Sequence, residues 1–124
     1  MTDLAEGSKE VLDRSVLASL RELQEKGEPD IVAEIGDLFI KHAPQKIASI
    51  KKAASEENAK ALEVAAHSLK SSSSYIGALK LSAFSKELEF MGRSGTLEGS
   101  VEKAALVETE FERVKAALEA EIGK

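Results

Sequence analysis

Ala66-His67-Ser68-Leu69-Lys70-Ser71-Ser72-Ser73-Ser74-Tyr75-Ile76-Gly77-Ala78 is the stretch on which the reading of this chain turns. Wound at 3.6 residues per turn, it puts Lys70 one turn after His67 on the same face, with Ser71 and Ser74 extending that face. Leu62, Ala65, Leu69, Ser72, Ser73 and Ile76 fall mainly on the other side. The four serines are too few, and too well framed by Leu69 and Ile76, to be a flexible linker. The stretch therefore reads as a helix, ended or bent by Gly77, that carries one imidazole and one ammonium beside almost no bulk.

The same period continues on both sides. Asp13 is a good N-cap, with Leu12 placed to staple onto Leu17, and Val16, Leu17, Leu20 and Leu23 mark a helix that Gly27 should stop. Pro29 suits the first turn of a second helix. Its apolar stripe runs through Ile31, Val32, Ile35, Leu38, Phe39, Ala43, Ile47, Ile50 and Ala54. Pro44 inside that run predicts a kink or a split, because its ring crowds the carbonyl of Ile40. Asn58 can cap the helix that holds His67. Leu81, Phe84, Leu88 and Met91 mark a fourth helix ending at Gly92 to Gly95. Ser100 is a cap for a fifth, striped by Ala104, Val107, Phe111, Val114, Leu118 and Ile122. No stretch alternates with period two for long enough to be a strand. Short connections favour antiparallel neighbours. The expected fold is all-α: an antiparallel four-helix bundle with an additional N-terminal helix, residues 1–11 being a flexible lead-in and 12–124 one domain.

A chain of 124 residues with 43% hydrophobic residues can bury a core without staples. Aromatic residues are 4% and there is no Trp, so Leu, Ile, Val and Ala must build that core. The absence of cysteine excludes disulfide and thiolate chemistry and fits a reducing, cytoplasmic setting. No apolar run reaches the roughly 18 residues of a membrane span, and Met1 to Glu10 lacks the apolar core of a signal peptide. A net charge of −5 argues against a nucleic-acid footprint. Two histidines on different helices and no cysteine offer no metal-ligand set; His42, followed by Ala43 and Pro44, reads as a surface residue. There is no Gly-rich phosphate loop and no GKS/T, so the chain is not expected to bind ATP or phosphorylate itself.

His67-Ser68-Leu69-Lys70, a run of small residues and then Ile76-Gly77-Ala78 resembles the phosphoacceptor motif of histidine-containing phosphotransfer (HPt) domains, the helical carriers of bacterial and plant phosphorelays. The family pattern, roughly A-H-x-L-K-G-x-x-x-x-x-G, has glycine where this chain has Ser71, whose hydroxymethyl is the next smallest group beside the imidazole. The order and spacing of the helices are similar to that fold over residues 12–122. The resemblance implies that His67 is the phosphoacceptor, with Lys70 and Ser71 beside the phosphoryl group. It also implies that Glu89 on the next helix orients the imidazole and that Arg93 adds positive potential. The implied partners are receiver domains of response regulators, and a hybrid histidine kinase. The receivers supply the aspartyl phosphate and Mg²⁺, so the chain needs no cofactor of its own and acts as a monomeric carrier, not as an enzyme. Val64 and Ala78, with Phe39 and Ile40 on the second helix, are the expected docking ground.

The chemistry asks for little more. A neutral imidazole nitrogen must be exposed to its donor, and the other nitrogen must be held by an acceptor that fixes the tautomer. A cation nearby then offsets the new charge. Two further readings stand beside this one. A phosphate-independent helical adaptor that docks receiver domains would bind them equally well with His67→Gln. An enzyme using His67 as a general base would need a concave pocket around it.

Overall fold

The computed structural model describes residues 11–123, and within them the chain forms helices joined by short connections, with no strand. Five helices follow one another: α1 (Arg14–Glu22), α2 (Ile31–Ser55), α3 (Ala59–Tyr75), α4 (Leu79–Ser94) and α5 (Ser100–Glu121). The expected lead-in falls, up to residue 10, outside the described residues, while Val11 is already buried in the core. Helices α2 to α5 close a ring in which each packs on its neighbours and α5 returns to α2. Connections at 56–58, 76–78 and 95–99 are short enough that successive helices must run antiparallel. Helix α1 packs against α2. Leu62, Leu69, Leu81, Leu88, Val107, Val114 and Leu118 are fully buried between the layers, with Phe39 and Phe111 in ring contact at 5.9 Å. None of the described helices is long and apolar enough to cross a membrane.

Capping chemistry sets most boundaries. Asp13 accepts from the Ser15 amide and Asn58 from that of Ala61, as the sequence suggests. Three boundaries differ from expectation. Helix α1 ends at Glu22, well before Gly27, because Leu23 points into solvent and adds no packing. The Gln24 side chain closes the following loop instead, donating to the Glu28 carbonyl and accepting from the Ile31 amide. Pro29 stands ahead of the second helix, whose cap is Asp30 accepting from Val32. Gly99, in the left-handed region at φ 85°, precedes α5, and Ser100 is its first residue.

Pro44 does not split α2, which runs unbroken from Ile31 to Ser55. Phe39, Ala43, Ile47 and Ile50 are buried on both sides of it, and that packing holds the helix across the missing hydrogen bond. Pro44 itself faces outward.

Two glycines fix where α3 sits. Gly77 turns the chain at φ 84°, and its carbonyl accepts from the Asp13 amide at 2.8 Å. Gly92 is inside α4, not at its stop, and is buried against α3. A Cβ there would lie 2.6 Å from both the Ala59 carbonyl oxygen and the Glu63 nitrogen. Only a glycine lets the two backbones approach so closely.

Candidate functional site

His67 sits in the middle of α3, away from either frayed end, with 61% of its side chain exposed. Its Nδ1 lies 2.7 Å from Glu89 Oε2. Glu89 comes from α4, one turn before Gly92, at the point where α3 and α4 are pressed together. It is only 4% exposed, an unusual place for a carboxylate. Three cationic or polar donors satisfy it there. Lys70 Nζ is 2.7 Å from Oε1, while Oε2 is shared between His67 Nδ1 and Arg93 Nη2 at 2.9 Å. The Lys70 ammonium, and after it the His67 ring, hold the Glu89 carboxyl below the ordinary glutamate value against the opposing pull of burial.

An ionised carboxylate can only accept, so the proton of the neutral imidazole stands on Nδ1. Nε2 then keeps its lone pair, and it has no hydrogen-bond partner among the described residues. The ring is thus a nucleophile with one face of its chemistry tied down and the other turned to solvent.

His67, Lys70, Glu89 and Arg93 therefore converge on one carboxylate. Lys70 does not stand free beside the ring but is paired with Glu89. Ser71, one turn after His67, is exposed and adds no bulky group there. Two contributors are not evident from the sequence. Glu63 lies one turn before His67 on α3, where its Oε2 accepts from Arg93 Nε at 3.2 Å, with Lys60 Nζ at 3.7 Å from Oε1. Gly92, whose residue type suggests a helix stop, is the other. The signal for both is spacing alone: a carboxylate four residues before the histidine and a glycine three after Glu89. Ser82 Oγ, donating to the Lys70 carbonyl at 3.0 Å, ties the start of α4 to the same turn of α3.

The docking residues divide. Val64 is 57% exposed and Ile40 half-buried. Ala78 is fully buried, because the turn at Gly77 folds it under the bundle, so a partner cannot touch it. Phe39 is buried too, as the floor of a groove of about 540 Å³ between α2 and α3. The apolar groups that meet solvent along this side are Leu38, Tyr75 and Val64, 56%, 57% and 57% exposed. Lys46, also lining the groove, reaches Ser72 Oγ at 3.4 Å.

Comparison with known proteins gives two matches. The Hpt domain family model matches residues 34–117, which takes in α3, α4 and every member of the His67 cluster. Among solved structures, the histidine-containing phosphotransfer protein B (HptB) of Pseudomonas aeruginosa PAO1 is similar with a TM-score of 0.82 and 34% sequence identity. The alignment covers 90% of this chain and 93% of that one. None of the curated proteins compared matches the chain. With a motif, a helix order and a whole-chain likeness that coincide, the chain belongs to the Hpt domain family.

Proposed function

We propose that this protein is a cytoplasmic, monomeric phosphocarrier that shuttles a phosphoryl group between the aspartates of two receiver domains through His67. The observation that supports it most directly is the pairing of an exposed imidazole with a buried, ionised acceptor on Nδ1. Nε2 attacks the phosphorus of the donor's aspartyl phosphate in line. The P–O bond breaks, its electron pair staying with the departing carboxylate, and a P–Nε2 bond forms. The reverse step delivers the group to a second receiver. Mg²⁺ and the acyl phosphate come from the receiver, or from the receiver of a hybrid histidine kinase. The chain contributes a positioned nucleophile and no kinase activity of its own.

Lys70 and Arg93 keep positive charge within a turn of the ring. A lysine at about 4–6 Å from the incoming phosphoryl oxygens, partly solvated, contributes about 1 kcal/mol. Receivers dock along α2 and α3, with Leu38 and Tyr75 at the groove, Val64 in the adjoining hollow beside Lys46 and the half-buried Ile40 on α2 offering apolar contact. Exposure of most of the ring suits meeting another protein more than enclosing a small substrate.

Incubation with phosphorylated receivers tests the reading. Wild type should take up an acid-labile, base-stable label and pass it to a second receiver, while His67→Gln takes up none. A label that persists in His67→Gln overturns the assignment. Equal receiver binding by both proteins, with label on neither, would show the adaptor reading to be the right one.

A further inference from the structure

Glu89 is placed to do more than orient a ring, in a role that rests on His67 being a phosphocarrier. Nε2 uses its lone pair to bond phosphorus, so the product ring keeps its Nδ1 proton and becomes a positively charged N-phosphoryl imidazolium. Directly against that proton lies Glu89 Oε2, at 2.7 Å in the resting protein, on a carboxylate 4% exposed to solvent. We propose that Glu89 is the counter-ion of this imidazolium, holding the proton on Nδ1 for as long as the phosphoryl group is resident so that the P–N bond remains ready to break.

Both transfers then balance without moving a proton. On arrival, P–O breaks with its pair going to the donor carboxylate, and P–Nε2 forms. On departure, a carboxylate oxygen of the second receiver's aspartate forms a new P–O bond as P–Nε2 breaks with its pair returning to Nε2, and a neutral imidazole is left. A ring that had lost the Nδ1 proton would have to leave as an imidazolate, a far stronger base and a poorer leaving group.

The surrounding charges act in the same direction. In the resting protein Lys70 occupies Oε1 at 2.7 Å. A dianionic phosphoryl group on Nε2 attracts that ammonium along the shared helical face, and whatever leaves Oε1 frees the Glu89 charge for the ring. Arg93, facing the site from α4, divides its guanidinium between Glu89 Oε2 at 2.9 Å and Glu63 Oε2 at 3.2 Å, so that Glu63 on α3, itself 3.7 Å from Lys60, offsets part of the cation sharing Oε2 with the ring. On the α2 side Lys46 is engaged with Ser72 Oγ at 3.4 Å. Glu89 is therefore the anion that decides the protonation of the loaded ring.

The test compares full-length wild type with Glu89→Gln, which keeps an acceptor for Nδ1–H and loses the charge. Both are phosphorylated with potassium phosphoramidate, and loss of the group to water is followed by phosphorus NMR from about pH 5 to 9, the range that brackets an imidazole's titration. The lability of wild type should persist to a pH about one to three units above that of the variant. At about pH 8 the phosphohistidine of Glu89→Gln should outlive that of wild type by on the order of tenfold. Nitrogen-15 histidine spectra of phosphorylated wild type at that pH should show a proton-bearing Nδ1, a readout independent of how the variant folds. Coincident pH profiles, or a bare Nδ1 in wild type, overturn the counter-ion role and leave the carrier function standing. Failure of wild type to take phosphorus on His67 at all would instead sink the carrier reading, and the counter-ion role with it.

Discussion

His67 presents Nε2 because Glu89 occupies Nδ1, and Glu89 stays ionised because Lys70 and the ring donate to it. The sign of the resulting pH dependence is fixed by that order. The Glu89 carboxyl in the folded protein lies below its ordinary value of 4.5, so as pH falls the unfolded chain takes up the proton first. Its contribution to stability is present above about pH 4.5 and is lost below it. The drop in melting temperature between about pH 7 and about pH 3.5 should accordingly be smaller for Glu89→Gln than for wild type, measured by circular dichroism. Lys70 has a second, separable effect. Lys70→Ala should slow phosphotransfer from a receiver about fivefold, the equivalent of about 1 kcal/mol. The deficit should shrink as salt is raised, because the exposed part of that interaction is screened.

Between elements, the distance from α3 to α4 is the quantity on which the site depends. Gly92 allows the α4 backbone to touch that of α3 at Ala59 and Glu63, one turn from Glu89 and one turn from His67. A methyl group at that position would meet backbone, which cannot rotate away. Gly92→Ala should cost about 1–3 kcal/mol in urea denaturation by overpacking alone. By widening the gap it should also lengthen the His67–Glu89 hydrogen bond, visible as a changed Nδ1–H chemical shift. A variant as stable as wild type, with an unshifted Nδ1 proton, would show that the close approach is not what seats Glu89. Helix α2 illustrates the opposite case. Pro44 removes a hydrogen bond from an element so well packed on both sides that the helix continues through it.

Across the whole molecule, the His67 cluster and the groove proposed for docking lie on adjacent sides of α3. The Glu89 cluster lies toward α4, and the groove with Leu38 and Tyr75 lies toward α2. The two should therefore separate experimentally. Val64→Glu or Leu38→Glu should raise the KM for a phosphorylated receiver roughly tenfold while leaving labelling by phosphoramidate unchanged. A small phosphodonor needs no groove. Equal loss with both donors would mean that the substitution damages the site itself.

The five helices, the caps at Asp13 and Asn58 and the pairing of His67 with Lys70 were legible in the sequence because each is set by residues within a turn or two of one another. Periodicity, capping and the i, i+3 relation are local properties. Local signals that compete are less informative: Gly27, Pro29 and Ser100 are all plausible boundary residues, yet packing and the Gln24 side chain placed the ends elsewhere. The family resemblance pointed to Glu89, but no spacing rule could place it against His67, on a different helix, or bury it. The burial of Ala78 and Phe39 was likewise invisible, since which side of a turn faces inward depends on how helices far apart in the chain come together. Sequence alone determined a helical protein carrying an accessible imidazole with a cation beside it. Tertiary structure decided which of its nitrogens is free, because only the contact of α3 with α4 at Gly92 brings an acidic side chain under the ring and surrounds it with the cations that keep it charged.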